Sequence, residues 1–357
     1  MTKRIVFTGG GTAGHVTPNL ALINPLQSEG WKVHYIGSEE GIEKEMISPL
    51  NIPYHAVKSG KLRRYFSWKN FLDPVKILYG IVQSFFLLHH LKPNVVFSKG
   101  GFVGFPVVVG AWLNRIPVIA HESDMTPGLA NRLSFPFASK VCVTFEPAKY
   151  HFKQPSKVEV TGTPIREALL KGDKTKGLET CRLQADLPCL LVMGGSLGSR
   201  VINQCLRKAL DNLLSFVQII HICGKGNVDP QLNDKKGYCQ FDYVRDELGD
   251  LLAASDVVLS RSGANSLYEI LALKKPHILI PLSKKASRGD QIQNARYFAS
   301  LGISYVIEEE QLNPECLVKA VQEVMNTKEE RIHKMKQLPI HSSSEAIIEL
   351  IKRTAES

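Results

Sequence analysis

A strand that runs into a glycine turn and out into a helix occurs twice in this chain. That repetition constrains the fold more than any other feature. The first copy joins the apolar run Ile5-Val6-Phe7 to Thr8-Gly9-Gly10-Gly11-Thr12-Ala13-Gly14-His15. Residues 16–30 follow, with Leu20, Leu22, Ile23 and Leu26 at mostly helical spacing and Pro18 in a first turn, where proline is tolerated. The second copy joins Leu190-Leu191-Val192-Met193 to Gly194-Gly195-Ser196-Leu197-Gly198-Ser199 and a helix carrying Val201, Ile202, Leu206, Ala209 and Leu210. Strand, glycine turn and helix make a phosphate-binding geometry. The glycines let backbone amides approach an anion, and the helix start adds partial positive charge. Gly9, Gly11 and Gly14 also satisfy G-x-G-x-x-G, a match too common to decide anything alone. The turn at 8–15 can equally be a tight strand-to-helix connection without a ligand. His15, an imidazole at its mouth, favours the anion site, where it can serve as base or hydrogen-bond donor.

Between and after the two turns, strand and helix patterns alternate. Strand-like runs fall at 32–36, 93–97, 117–120, 140–143 and 158–160, then at 217–222, 256–259, 277–280 and 303–307. Such alternation predicts α/β architecture with parallel sheets covered by helices on both faces. Ligands of such sheets lie outside the carboxyl ends of the strands. The polar clusters Lys99-Gly100-Gly101 and His121-Glu122-Ser123-Asp124 fall at those ends. The first half closes around Thr161-Gly162-Thr163-Pro164-Ile165-Arg166, and the charged stretch 171–176 reads as a linker or loop. At 357 residues the chain exceeds one ordinary α/β domain. The expected division is two Rossmann-like domains facing across a cleft, at 1–163 and 164–340. A helix within 341–357, with Ala346, Ile347, Leu350 and Ile351 on one side, is expected to pack back towards the first domain.

A net charge of +10 points to anionic partners: phosphorylated substrates, acidic lipid headgroups or nucleic acid. Nucleic acid ranks last and is not expected as a partner, because no aromatic-interleaved basic motif of an RNA-binding module is present. Seven scattered cysteines without a C-x-x-C spacing read as reduced thiols. The start, Met-Thr-Lys-Arg and then a strand, is too short and interrupted for a signal peptide. No stretch reaches the roughly 18 uncharged apolar residues of a spanning helix. One stretch breaks the pattern. Lys58, Lys61, Arg63, Arg64 and Lys69 interleave with Leu62, Tyr65, Phe66 and Trp68, ahead of an apolar helix over 74–91. It reads as a solvated loop entering a buried helix, or as an interfacial membrane patch. The breadth of apolar surface on the helix favours the membrane.

In the second half the strongest local signal is Ser260-Arg261-Ser262-Gly263-Ala264-Asn265-Ser266-Leu267-Tyr268-Glu269. A strand ends, small residues turn, and a helix starts with free amides, which makes an anion site. Glu269 can accept hydrogen bonds from a ribose diol, or can simply favour the helix dipole. Asp290-Gln291-Ile292-Gln293-Asn294 places an acid and amides at another helix start, where they can read sugar hydroxyls.

Taken in order, these motifs, with Gly-Thr-Pro-Ile-Arg at 162–166, closely resemble the MurG family, the N-acetylglucosaminyl transferases of peptidoglycan synthesis. The resemblance spans essentially the whole chain. It implies the GT-B glycosyltransferase fold and a metal-independent, inverting hexosyl transfer without a cofactor. N-acetylglucosamine would pass from UDP-N-acetylglucosamine to the muramyl sugar of lipid I, giving lipid II. It also implies an acceptor- and membrane-binding first domain, a UDP-sugar-binding second domain, and peripheral attachment to an anionic membrane surface on the cytoplasmic face.

Motif by motif, Thr12, Ala13 and Gly14 would lie near the donor sugar and diphosphate. Arg166 and Ser196 would contact phosphate or uridine, and Val244 would set its backbone against uracil. Ala264, Asn265, Ser266, Leu267 and Glu269 would hold diphosphate and ribose, with Glu269 on the ribose hydroxyls. Gln291 would read the sugar hydroxyls. Family members often carry Asn where Asp124 stands, so no donor contact is assigned to it.

Inversion requires a base for the acceptor hydroxyl. His15 is the first candidate, with His121 or Glu122 as base or acceptor-positioning alternatives. No D-x-D signature suggests a metal-held diphosphate, so no metal site is expected. A related transferase with another lipid acceptor, such as diacylglycerol, would share the donor half. An NAD-dependent oxidoreductase using Glu39 on a ribose fits the glycine fingerprint, but His15 and the second glycine-turn domain stand against it. A non-catalytic nucleotide-sugar sensor is a third class, which turnover of UDP-N-acetylglucosamine would exclude.

Overall fold

The computed structural model describes residues 2–60, 69–195, 198–284, 287–340 and 343–356, and of 69–72 the backbone alone. The chain divides into two units, Met1–Ile165 with Ser342–Ser357, and Arg166–His341.

In the first unit the described strands are β1 (Arg4–Thr8), β2 (Lys32–Gly37), β3 (Tyr54–Ala56), β4 (Val95–Ser98), β5 (Val118–Glu122), β6 (Lys140–Val143) and β7 (Val158–Val160). They form one parallel sheet in the order β3-β2-β1-β4-β5-β6-β7. Both faces are covered, which is why the strands read as unbroken apolar runs. Ile5, Phe7, Val95, Phe97 and Ile119 share a core with Leu22, Ile23 and Leu26 of the helix Thr17–Ser28. Ile347, Leu350 and Ile351 of the helix Ser344–Glu356 close the same core. The alternate residues Val6, Val96, Val118 and Ala120 pack on the other face against Leu88, Val107, Val108 and Ala111.

The second unit repeats the plan with β8 (Cys189–Met193), β9 (Gln218–Ile222), β10 (Tyr238–Phe241), β11 (Val257–Ser260), β12 (His277–Leu279) and β13 (Ser304–Val306). Their order is β10-β9-β8-β11-β12-β13, again parallel. One face of this sheet packs Leu190, Val192 and Leu259 on Ile202, Leu206, Leu210 and Leu213 of the helix Arg200–Leu214, and on Leu317 and Val321. All seven cysteines are free thiols.

Each sheet reverses its strand order once, between β1 and β4 and between β8 and β11. Such switch points open a crevice at the carboxyl ends of the two strands. The register levels those ends: Thr8 pairs with Ser98, and Met193 with Ser260. Both glycine turns, Lys99-Gly100-Gly101 and Arg261-Ser262-Gly263 therefore leave their sheets at the switch points.

The structure differs from the sequence reading in three places. β3 and β10 are short edge strands that lack an apolar run. β5 runs on through His121 and Glu122, which pair with Cys142 and Val143. The third difference concerns the apolar helix, which is Lys69–Leu91 and so carries Pro74 inside it. Of the basic and aromatic stretch before it, Lys61, Leu62, Arg63, Arg64, Tyr65, Phe66 and Trp68 lie outside the described residues, as does the side chain of Lys69. From residue 73 onward, Val75, Leu78, Tyr79, Val82 and Phe86 are exposed at helical spacing, a stripe that faces solvent. Among the described residues, no helix is long and apolar enough to cross a membrane.

Candidate functional site

The first glycine turn is built around an acid of its own. Glu43, from the helix Ile42–Ile47, is fully buried. Its carboxylate accepts from the Gly11 amide at 3.1 Å, the Ser38 amide at 3.0 Å and the Ser38 hydroxyl at 2.6 Å. A Cβ on Gly10 would lie 2.5 Å from that carboxylate. One of the amides expected to face a ligand thus faces the protein instead. Nothing in the sequence distinguished Glu43 from its acidic neighbours Glu39, Glu40 and Glu45.

Beyond Gly11 the backbone tightens into a short turn, Ala13–His15. Thr12 is exposed, and Ala13, Gly14 and His15 are half-buried. The His15 Nδ1 lies 3.1 Å from the Lys99 carbonyl oxygen. A carbonyl only accepts, so Nδ1 carries the proton and Nε2 the lone pair.

Lys99-Gly100-Gly101 packs this turn from the neighbouring strand. Gly100 and Gly101 have φ of +86° and +79°, in the region that glycine adopts without strain. A Cβ on Gly101 would meet the Gly10 carbonyl oxygen at 2.2 Å, and one on Gly100 the Asn131 side chain at 2.2 Å. Gly101→Ala is therefore expected to destabilise the first unit by about 1–3 kcal/mol, read by denaturant unfolding. An unchanged midpoint would mean that the turn does not need this close approach.

His121 and Glu122 sit side by side at the end of β5 and are both buried. The His121 Nε2–H donates to the Gly162 carbonyl at 2.8 Å, and its Nδ1 accepts from Lys99 Nζ at 2.7 Å. Both ring nitrogens are committed. Burial and then the Lys99 charge push this imidazole well below the usual histidine range. Glu122 accepts from the Asp124 amide at 3.0 Å, the Gly128 amide at 3.0 Å and Asn131 Nδ2 at 2.9 Å. Its two oxygens shape the loop that follows β5.

In the second unit, Ser196 lies outside the described residues, as does Leu197. Around them, Gly198 at φ +75° passes the Cys223 carbonyl so closely that a Cβ would lie 2.0 Å from it. Arg261 braces this turn from β11. Its guanidinium donates to the Ser199 hydroxyl at 2.8 Å and to the carbonyls of Ile280 and Pro281, and pairs with Glu309. Nothing around Arg261 in the chain marks it beforehand as an arginine that turns inward.

The helix Ala264–Ala272 starts at Gly263, whose lack of a side chain leaves the first turn without a side-chain cap. Ala264 is buried, and Asn265 and Ser266 are half-buried. Leu267 points its side chain into the interior, so only its backbone can meet a ligand. Gln291 opens the first turn of Asp290–Ser300, with Nε2 at 3.9 Å from where a Gly263 Cβ would be. Its side-chain oxygen accepts from the Leu282 amide at 3.1 Å, so Nε2 is the group left to donate.

Glu269 and Arg166 are electrostatically coupled. Burial raises the Glu269 carboxyl to about 7, while the Arg166 charge pulls it down. Arg166 Nε is buried without a hydrogen-bond partner among the described residues. Val244 is half-buried in the loop after β10, next to the exposed Tyr243 that Arg245 covers at 5.7 Å. The second unit thus gathers a carboxylate, a guanidinium, an amide donor and two helix starts at one sheet end. The first gathers two imidazoles, a lysine and a carboxylate.

Residues 5–143 match the glycosyltransferase family 28 N-terminal domain, and residues 189–351 match its C-terminal domain. A protein of Legionella pneumophila (strain Paris) is 64% identical over 355 residues, 99% of this chain and 98% of its own. One of Clostridium novyi (strain NT) is 54% identical over 351 residues, 98% of each. Both are named UDP-N-acetylglucosamine–N-acetylmuramyl-(pentapeptide) pyrophosphoryl-undecaprenol N-acetylglucosamine transferase. Among solved structures, Acinetobacter baumannii MurG superposes with a TM-score of 0.77 at 25% identity, over 98% of this chain and 99% of its own. With the two parallel sheets, that likeness identifies the GT-B glycosyltransferase fold.

Proposed function

The chain belongs to glycosyltransferase family 28, and from that premise we propose that it transfers N-acetylglucosamine from UDP-N-acetylglucosamine to the muramyl sugar of lipid I, forming lipid II. The observation that carries the donor half is the start of the helix Ala264–Ala272, which has no side-chain cap, with the Gln291 amide group beside Gly263 and Glu269 on the same helix. A carboxylate suits a ribose diol, a guanidinium suits a phosphate, and uncapped amides suit an anion.

In this reading Glu269 holds the ribose hydroxyls, and Ala264, Asn265, Ser266 and Leu267 offer backbone to the diphosphate. Arg166 and Ser196 take phosphate or uridine, and the Val244 backbone lies against uracil. Gln291 donates from Nε2 to the hydroxyls of the transferred sugar. Thr12, Ala13 and Gly14 line the approach to the donor sugar and diphosphate.

The transfer breaks the bond between the anomeric carbon and the UDP oxygen, and forms one from the acceptor hydroxyl oxygen on the opposite face. Negative charge grows on UDP as it leaves, and Arg166 and the helix amides stabilise it. The acceptor proton goes to His15 Nε2, the nitrogen that its hydrogen bond to Lys99 leaves with the lone pair. His121 and Glu122, with their polar atoms engaged, hold the acceptor-side loop in shape. Release of UDP from UDP-N-acetylglucosamine, with lipid I analogue or diacylglycerol offered in parallel, tests the assignment. Turnover with diacylglycerol and none with the analogue would replace it by the other lipid-acceptor reading.

The acceptor's polyprenyl tail stays in the bilayer, so the protein comes to the membrane and docks peripherally on its cytoplasmic face. The exposed stripe Val75, Leu78, Tyr79, Val82 and Phe86 suits insertion between headgroups. Lys61, Arg63, Arg64 and Lys69 suit an anionic surface, each contributing about 1 kcal/mol. Leu78→Ser with Phe86→Ser is expected to reduce co-sedimentation with anionic vesicles several-fold. Turnover of a short-chain, water-soluble acceptor should be spared. Equal vesicle binding by variant and parent at low salt would remove the stripe from the docking surface.

A further inference from the structure

We propose that Lys99 is a positioning residue for the transfer, fixing His15, His121 and the loop after β5 in one arrangement across the switch point of the first sheet. The proposal rests on the acceptor-side reading above. Lys99 is the first residue beyond β4, and its main chain is locked onto the glycine turn. The Lys99 amide donates to the Thr8 carbonyl at 2.9 Å, and the Lys99 carbonyl accepts from His15. Its side chain crosses to the end of β5. There Nζ meets His121 Nδ1 at 2.7 Å, the Ser123 hydroxyl at 2.5 Å and Thr163 Oγ1 at 3.2 Å. An ammonium has three hydrogens, and three acceptors meet them. One residue therefore grips both candidate imidazoles, one through its backbone and one through its tip.

Stability alone does not call for a lysine here. The side chain is 1% exposed. Taking an ammonium out of water is costly, and an apolar chain of the same length often fills such a space at no loss. Glu122, Asp124 and the Cys142 thiol are the ionisable groups whose charge favours the ammonium, and His121 faces it directly. Burial outweighs them and brings Lys99 down to about 7. The ammonium form is needed to serve all three acceptors. When the proton leaves, the amine keeps two hydrogens and a lone pair, so the Ser123 or Thr163 hydroxyl must reverse to donate to it, the charge that tightens all three contacts is lost, and the arrangement loosens. Activity supported by Lys99 should thus fall as pH rises through the neutral range, on the side opposite to the gain from deprotonating a histidine base.

The test uses the full chain, UDP-N-acetylglucosamine and a water-soluble lipid I analogue, with rates followed across pH. Lys99→Met is expected to lower kcat by roughly 10²-fold, the scale for a misplaced reacting group, with KM for UDP-N-acetylglucosamine within about twofold. Lys99→Arg, charged at every working pH, is expected to keep more of kcat than Lys99→Met and to move the alkaline fall above about pH 9. A Lys99→Met enzyme with parental kcat would overturn the proposal. So would an alkaline fall that stays in place in Lys99→Arg. Should Lys99→Met fail to fold, judged by lost UDP affinity, the pH profile of Lys99→Arg decides alone. Absence of turnover in the parent would count against the acceptor reading rather than against Lys99.

Discussion

His15→Ala should lower turnover by roughly 10²–10⁴-fold, the range for loss of a general base, while affinity for UDP changes little. The expectation follows from the ring's setting. Lys99 holds the proton on Nδ1, which leaves Nε2 as the basic nitrogen. His121 is a weaker candidate, since Gly162 and Lys99 occupy its two nitrogens and burial disfavours its charged form. Steady-state rates at saturating donor, with UDP titrated calorimetrically into the same preparation, separate the two roles. A collapse of UDP affinity with surviving turnover would make His15 a binding residue. A His121→Ala variant that alone lost the acidic limb of the rate profile would transfer the base to β5.

Glu269→Ala should weaken UDP binding by about 1–3 kcal/mol, the scale for leaving partnered polar groups unpaired. A pH signature accompanies it. Burial raises this carboxyl to about 7, so near neutrality much of it is protonated before ligand arrives. The ionised form accepts from both ribose hydroxyls; the protonated form accepts poorly. Parent affinity should therefore rise from pH 6 to pH 8, with a proton released on binding. Glu269→Gln, which does not titrate, should flatten that rise. Titrations at both pH values in two buffers of different ionisation enthalpy would measure the proton directly. The same slope in parent and variant would remove Glu269 from the ribose.

Much of this architecture was legible because its signals are local. A parallel sheet covered on both faces needs unbroken apolar strands, and Ile5-Val6-Phe7 and Leu190-Leu191-Val192 are such runs. Glycine turns announce themselves through residue type, since only glycine fits Gly101 against Gly10 or Gly198 against Cys223. Two of the four edge strands are different. β3 and β10 have one neighbour each and no apolar run, so composition does not reveal them, whereas the edges β7 and β13 fall in the runs read at 158–160 and 303–307. The polar network was hidden for another reason. Whether a lysine such as Lys99, or a glutamate such as Glu43, turns inward depends on partners distant in sequence. For Lys99 the side-chain partners are His121, Ser123 and Thr163. Glu43 is held by Gly11 and Ser38, and its acidic neighbours look the same in sequence.

The helix Ser344–Glu356 completes the first unit from beyond the whole of the second. Ile347, Leu350 and Ile351 close a core whose other members, from Ile5 to Cys142, all precede the second unit. Ribosomal synthesis proceeds from the other direction, at about 5–20 residues per second. For the time taken to make the second unit, the first waits with one face of its sheet partly uncovered, while the second can bury its own core as soon as it emerges. The order of completion is thus the reverse of the order of appearance. It gives a folding chaperone a defined window in which that apolar face is there to be shielded.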